Sequence, residues 1–178
     1  MTTTHNMKKI LILLLLSFGL IGSSYAELDS EAFALRKLAN NYAYGEGGYL
    51  KDPREAIILY KKYLKRVGEP TLENDSRNVM HTIANFYLSY LNNSNEALIW
   101  YNKSAELGFF EAQLSLGIIY LEGKIVNKSL EKSAYWVRTA YENPSEHAQG
   151  TEYTSGQKHR AKYYWDEHEL WKYYSSKQ

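Results

Sequence analysis

Residues Glu111–Ala140 read EAQLSLGIIYLEGKIVNKSLEKSAYWVRTA. Ala112, Leu116, Gly117 and Tyr120 stand at i, i+4, i+5 and i+8, so they share one stripe of a helix. Gly123 breaks that pattern, and Ser133, Trp136, Val137 and Ala140 then form a second apolar stripe. A helix hairpin of this size has an apolar face that it cannot bury alone, so it calls for neighbours of its own kind.

The chain supplies them. Ile83, Ala84 and Tyr87 repeat Leu116, Gly117 and Tyr120, and Leu38, Ala39 and Tyr42 repeat them again further upstream. Second helices follow, with Ala56, Leu59 and Tyr60 in copy one and Ala97, Trp100 and Tyr101 in copy two. Such self-similarity is the signature of an α-solenoid, an all-α fold.

These residues resemble the Sel1-like repeats, relatives of the tetratricopeptide repeats. Copy one carries the pattern as Ala34, Leu38, Tyr42, Gly45, Gly47, Asp52, Ala56 and Tyr60. Copy two carries Tyr87, Glu96, Ala97, Trp100, Tyr101, Lys103, Ala105, Glu106 and Gly108. Copy three carries Ala112, Leu116, Gly117, Tyr120, Gly123, Trp136 and Ala140. Copy one has an extra Gly48, and copy two has Tyr90 where the first turn glycine would fall. Copy three has Ser129 for the loop Asp and Val137 for the second-helix Tyr. The expected repeats span about 33–68, 78–108 and 111–142, within a single domain over 27–178.

Helix limits follow from local chemistry. Leu28–Tyr44 reads as the first helix, stopped by Gly45-Glu46-Gly47-Gly48. Asp52 can cap a helix that has Pro53 at its first position, and Asn93 with Glu96 makes a second capping pair. Glu69–Asn78 is polar and long for a helix connection, and Asn143-Pro144 should close copy three.

Residues 146–178 are expected to cap the array. Glu146–Tyr153 reads as a short helix, Thr154-Ser155-Gly156 as a break, and Gln157–Tyr174 as a final helix. Its wheel puts Tyr163, Tyr164, Leu170, Trp171 and Tyr174 on a docking face and Trp165 on the opposite, exposed side.

At the other end, Lys8 and Lys9 precede the apolar run Ile10–Leu16, which continues to Ile21, and Ser24-Tyr25-Ala26 follows. Basic, apolar and small-residue segments in that order predict a signal peptide over 1–26, cleaved after Ala26, with Met1 or Met7 as the start. The expected location is a bacterial periplasm, with no membrane attachment after cleavage. The chain has no cysteine, so it must stand there without disulfides.

The composition is nearly charge-balanced, with 21 basic and 20 acidic residues, and no block of like charge points to nucleic acid or an anionic membrane. His81, His147, His159 and His168 lack metal-ligand spacing, and no nucleophile has a base partner, so neither metal, cofactor nor enzymatic activity is expected. What remains is a binding surface. By resemblance to tetratricopeptide repeats, the concave face would carry Arg36, Asn40 and Tyr44, then His81, Asn85 and Ser89, then Leu114, Ile118 and Glu122; Trp165, exposed by its place on the last helix, is a separate interface candidate.

The resemblance implies a protein–protein interaction module with a protein partner. It also implies two narrower alternatives. One is an immunity protein that neutralises a type VI secretion phospholipase toxin. The other is a non-catalytic scaffold for a cell-envelope enzyme. Oligomeric state has no signature in the sequence.

Overall fold

A computed structural model describes residues 30–68, 75–143 and 152–174. The signal-peptide segment, most of the expected 69–78 loop and the expected helix at 146–151 lie outside the described residues. All regular structure among the described residues is helical. Helix α1 covers 30–44. It is followed by α2 (Pro53–Val67), α3 (Ser76–Ser89), α4 (Ser94–Glu106), α5 (Phe110–Glu122), α6 (Leu130–Glu142) and α7 (Glu152–Glu167). A 3₁₀ turn at Leu170–Lys172 follows α7. The fold class is the all-α solenoid of helix hairpins. The chain divides into two compact units between Glu69 and Pro70.

In the first unit α1 and α2 form one hairpin. Asp52 Oδ1 accepts from the amides of Arg54 at 2.9 Å and Glu55 at 3.2 Å, so the expected cap starts α2. Ala39 and Ala43 on α1 and Ala56, Ile57, Leu59, Tyr60 and Tyr63 on α2 are buried.

The second unit holds two more hairpins, α3–α4 and α5–α6, with α7 and the 3₁₀ turn packed on α6. Here α3 begins at Ser76 and not near Asn78, so the connection before it is shorter than its polar composition suggested. Asn93 Oδ1 caps α4 through the Glu96 amide at 3.1 Å, and Ser129 Oγ caps α6 through Lys132 at 3.2 Å.

All three hairpins are closed by the same backbone bond, although their turns differ in length. The capping residue's N–H donates to the carbonyl of the first-helix tyrosine: Asp52 to Tyr42 at 2.8 Å, Asn93 to Tyr87 at 2.9 Å and Ser129 to Tyr120 at 3.0 Å. The bond satisfies a carbonyl that the helix end leaves without an intrahelical partner. Copy two reaches this geometry without a turn glycine. Tyr90 stays right-handed, and Asn92 takes the left-handed conformation at φ 49.

Copy three needs its two glycines. At φ +69, Gly123 closes the C-terminus of α5, and a Cβ there would lie 2.7 Å from Lys128 Cβ. A Cβ on Gly117 would lie 2.6 Å from Val137 Cγ2 and 3.3 Å from the Val137 nitrogen. The equivalent positions in the other copies hold alanine, Ala39 and Ala84, both fully buried. Close helix approach therefore dictates a small residue at this position in each hairpin.

Helix α5 is shared by two cores. Ala112 and Leu116 join Ala84, Ala97, Tyr101 and Ala105, with Trp100 and Trp136 at the border. Phe110, Leu114 and Leu121 join Ala134, Val137, Ala140, Ala161 and Leu170. A helix covered from both sides is apolar around most of its circumference. The burial of Leu114 follows from this, and Ile118 packs at the edge of the same cluster, so neither lies on an exposed face as the repeat register suggested.

The C-terminal segment differs from its expected form. Thr154-Ser155-Gly156 does not break the chain, because α7 runs through it, and a Cβ on Gly156 would meet open space. The interruption comes later, at Glu169, whose φ is 50. Residues beyond it do not continue the wheel of α7. Ala161, Tyr164 and Trp165, at i, i+3 and i+4 of α7, dock together with Leu170, while Tyr163, Trp171 and Tyr174 are exposed.

Candidate protein-binding surface

The expected surface residues fall into two groups: some face solvent, and others hold helices together. Asn40 belongs to the second group, since its Oδ1 accepts from the Tyr60 hydroxyl at 2.7 Å across the α1–α2 hairpin. Copy two repeats this bond, with Tyr101 donating to Asn85 Oδ1 at 2.5 Å. Burial pushes the Tyr101 hydroxyl up to about 12, so it stays a neutral donor near neutral pH.

His81 extends that network inward. Its Nδ1 lies 3.5 Å from Asn85 Nδ2, and its ring sits 5.7 Å from Tyr101 and 5.4 Å from Phe109, centroid to centroid. Because Asn85 spends its oxygen on Tyr101, its amide N–H₂ faces Nδ1, which places the imidazole proton on Nε2. Burial lowers the His81 pKa to about 4, so the ring is neutral at pH 7. His81 and Asn85 thus form an internal polar joint of α3, α4 and the turn into α5.

Arg36 is half-buried and lines a cleft of about 390 Å³ with Phe33, Lys37 and Asn40. Tyr44, at 58% exposed, is the most open of the expected aromatics. Ser89 is exposed, and exposed Glu122 pairs with Lys124 at 3.2 Å. Trp165 is not exposed as expected: it packs on the α5–α6–α7 core, with the Arg138 guanidinium 5.5 Å from its ring centroid and the Tyr174 ring 5.7 Å away. Of the expected positions, Asn40, His81, Asn85, Leu114, Ile118 and Trp165 make contacts between helices, while Tyr44 in the first unit and Ser89 and Glu122 in the second are exposed.

Other features had no clear sequence signal. Asn143, expected only to end a helix, reaches back with Nδ2 to the Gly108 carbonyl at 2.7 Å and to Gln113 Oε1 at 2.8 Å. Gln113 Nε2 in turn donates to the Ala105 carbonyl at 3.0 Å. This buried amide pair ties the end of α6 to the α4–α5 turn and floors a cleft of about 420 Å³. A second feature is a basic stripe, with Lys62, Lys65 and Arg66 at i, i+3 and i+4 on α2.

Among the described residues no group of three or more metal-ligating side chains comes together, and no helix is long and apolar enough to cross a membrane. The described geometry defines a helix-hairpin repeat protein whose recurrent residues serve packing and turns. A family model for the Sel1 repeat matches residues 32–62, 84–109 and 110–145, and the chain belongs to the Sel1 repeat family. Sel1 repeats typically mediate protein–protein interaction, and proteins that carry them are generally non-catalytic scaffolds. No curated protein matches the chain.

Proposed function

We propose that the chain is exported to the periplasm and works there as a non-catalytic module that binds a protein partner. The observation that carries the binding role is the three-copy hairpin array, matched by the family over all three copies. Its recurrent positions are consumed by packing and turn closure, which leaves the variable side chains to recognise a partner. Export is supported by Lys8-Lys9, the apolar run to Ile21 and the small residues of Ser24-Tyr25-Ala26.

Two measurements test this reading. N-terminal sequencing of the protein expressed from its full gene in a bacterium should give Glu27 as the first residue, in the periplasmic fraction. A product that keeps Met1 or Met7 and stays in the cytoplasm refutes export. The mature chain, immobilised and exposed to periplasmic extract, should retain one protein saturably and in fixed ratio. Turnover of a lipid or glycan with no protein retained would show the binding role to be wrong. A retained phospholipase that loses activity in the complex would narrow the role to immunity against that enzyme, and a retained active envelope enzyme would narrow it to a scaffold.

A further inference from the structure

We infer that the α1–α2 groove of the first hairpin is where the partner docks, and that it receives an acidic segment of that protein. The inference deepens the protein-binding reading and rests on it. Lys62, Lys65 and Arg66 lie at i, i+3 and i+4 on α2, so they project along one stripe. Together with Glu31 and Leu35 of α1 they line a groove of about 320 Å³. Lys65 and Arg66 stand in the last turn of α2, at the negative end of the helix dipole.

The groove shows how it takes a carboxylate. Arg66 Nη2 meets Glu31 Oε2 at 2.7 Å, with the Arg66 side chain 34% and the Glu31 side chain 57% exposed. An exposed pair of this kind contributes little to stability, so a carboxylate from a partner can take the place of Glu31 at small cost. Lys62 and Lys65, both exposed, then stand ready for further acidic groups of the same segment.

A polypeptide fits this groove better than a lipid surface. Among the described residues that line it, Leu35 alone is apolar and it is half-buried, so the groove itself offers little apolar surface to a bilayer.

The test uses the whole mature protein and a fluorescein-labelled peptide of alternating glutamate and leucine, beside a counterpart with lysine for glutamate. The acidic peptide should bind saturably and weaken as salt is raised, and the basic one should not bind. The double variant Lys62→Glu/Lys65→Glu should lose roughly tenfold or more in affinity, and Glu31→Gln, which removes the internal competitor, should gain a few-fold. Lys124→Glu/Lys128→Glu, equal in charge change but outside the groove, should leave binding intact. All three variants alter exposed side chains, and unchanged melting temperatures would show that they fold.

Equal binding of both peptides, indifference to the Lys62/Lys65 reversal, or binding of phosphatidylglycerol vesicles in place of the peptide each overturns the inference. The periplasmic capture separates this failure from the broader one. A partner still retained by Lys62→Glu/Lys65→Glu rejects the groove and keeps the binding role, whereas no partner for the unaltered protein rejects both.

Discussion

The α3–α4 and α5–α6 hairpins follow one plan but solve one position in opposite ways. In the former, Asn85 and Tyr101 bridge the two helices by a hydrogen bond, as Asn40 and Tyr60 do in α1–α2. In the latter the aligned residues are Ile118 and Val137, and both partners have become apolar together. The reason lies on the outer side. Val137 is fully buried in the cluster that includes Ala161 and Leu170 of the C-terminal segment, and Ile118 packs at its edge. A half-buried polar pair suits a face with access to water. Under a covering element a lone survivor of that pair would be costly, whereas exchanging both members for apolar groups can be close to neutral. The switch from polar to apolar pair marks the hairpin on which the array is capped.

Removing the cap breaks this comparison most severely. Deletion of residues 152–178 strips Ala161 and Leu170 from Phe110, Leu114 and Val137. The soluble yield should then fall well below that of the full mature chain, and unchanged solubility would contradict a capping role. Next in size is Leu116→Ala, in the core that the two hairpins share. It should cost about 2–5 kcal/mol in chemical denaturation.

Acid should weaken the α3–α4 hairpin through His81. Its folded pKa, about 4, lies below the ordinary histidine value of 6.5 that the unfolded chain shows. Between those values the unfolded chain binds a proton that the folded one refuses. His81's contribution is therefore fully present above about pH 6.5 and is lost as pH falls toward 4, by about 2–3 kcal/mol. The variant His81→Leu should flatten the stability profile over that window, measured by urea unfolding at several pH values.

A smaller effect is expected from exchanging the two solutions of the bridging position. Asn placed at 118 finds no tyrosine across from it, and Ile placed at 85 leaves the Tyr101 hydroxyl without its acceptor. Ile118→Asn and Asn85→Ile should each cost about 1–3 kcal/mol. If Ile118→Asn were neutral, the cap would not exclude water from that position. The smallest change is Asn93→Ala, which removes the single side-chain cap of α4 and should cost about 1 kcal/mol.

Much of this architecture is legible in the sequence because its determinants are local. Small residues at Ala39, Ala84 and Gly117 announce close helix contacts, and Asp52, Asn93 and Ser129 announce helix starts, as the cap bonds show. The surface was less legible. His81 and Asn85 have the polarity of surface residues, yet they meet Tyr101 from the neighbouring helix. Trp165 falls on the polar side of a wheel drawn through Tyr174, but α7 ends at Glu167, and within it Ala161, Tyr164 and Trp165 share the docking face at i, i+3 and i+4. The basic stripe of Lys62, Lys65 and Arg66 disappears in a net charge averaged over the whole chain.

Period, capping chemistry and turn residues, all encoded within a few positions, determined from sequence that this chain is a three-hairpin helical repeat. Tertiary structure decided which side of each helix remains a surface. That choice depends on elements far along the chain: the C-terminal segment, joined to α5 through Gln157 and Arg160 at Glu111, and Asn143, which returns to Gly108. A single helix presents the same side chains whether or not another element covers them, so only the packed chain separates Leu114, which is core, from Glu122, which is not.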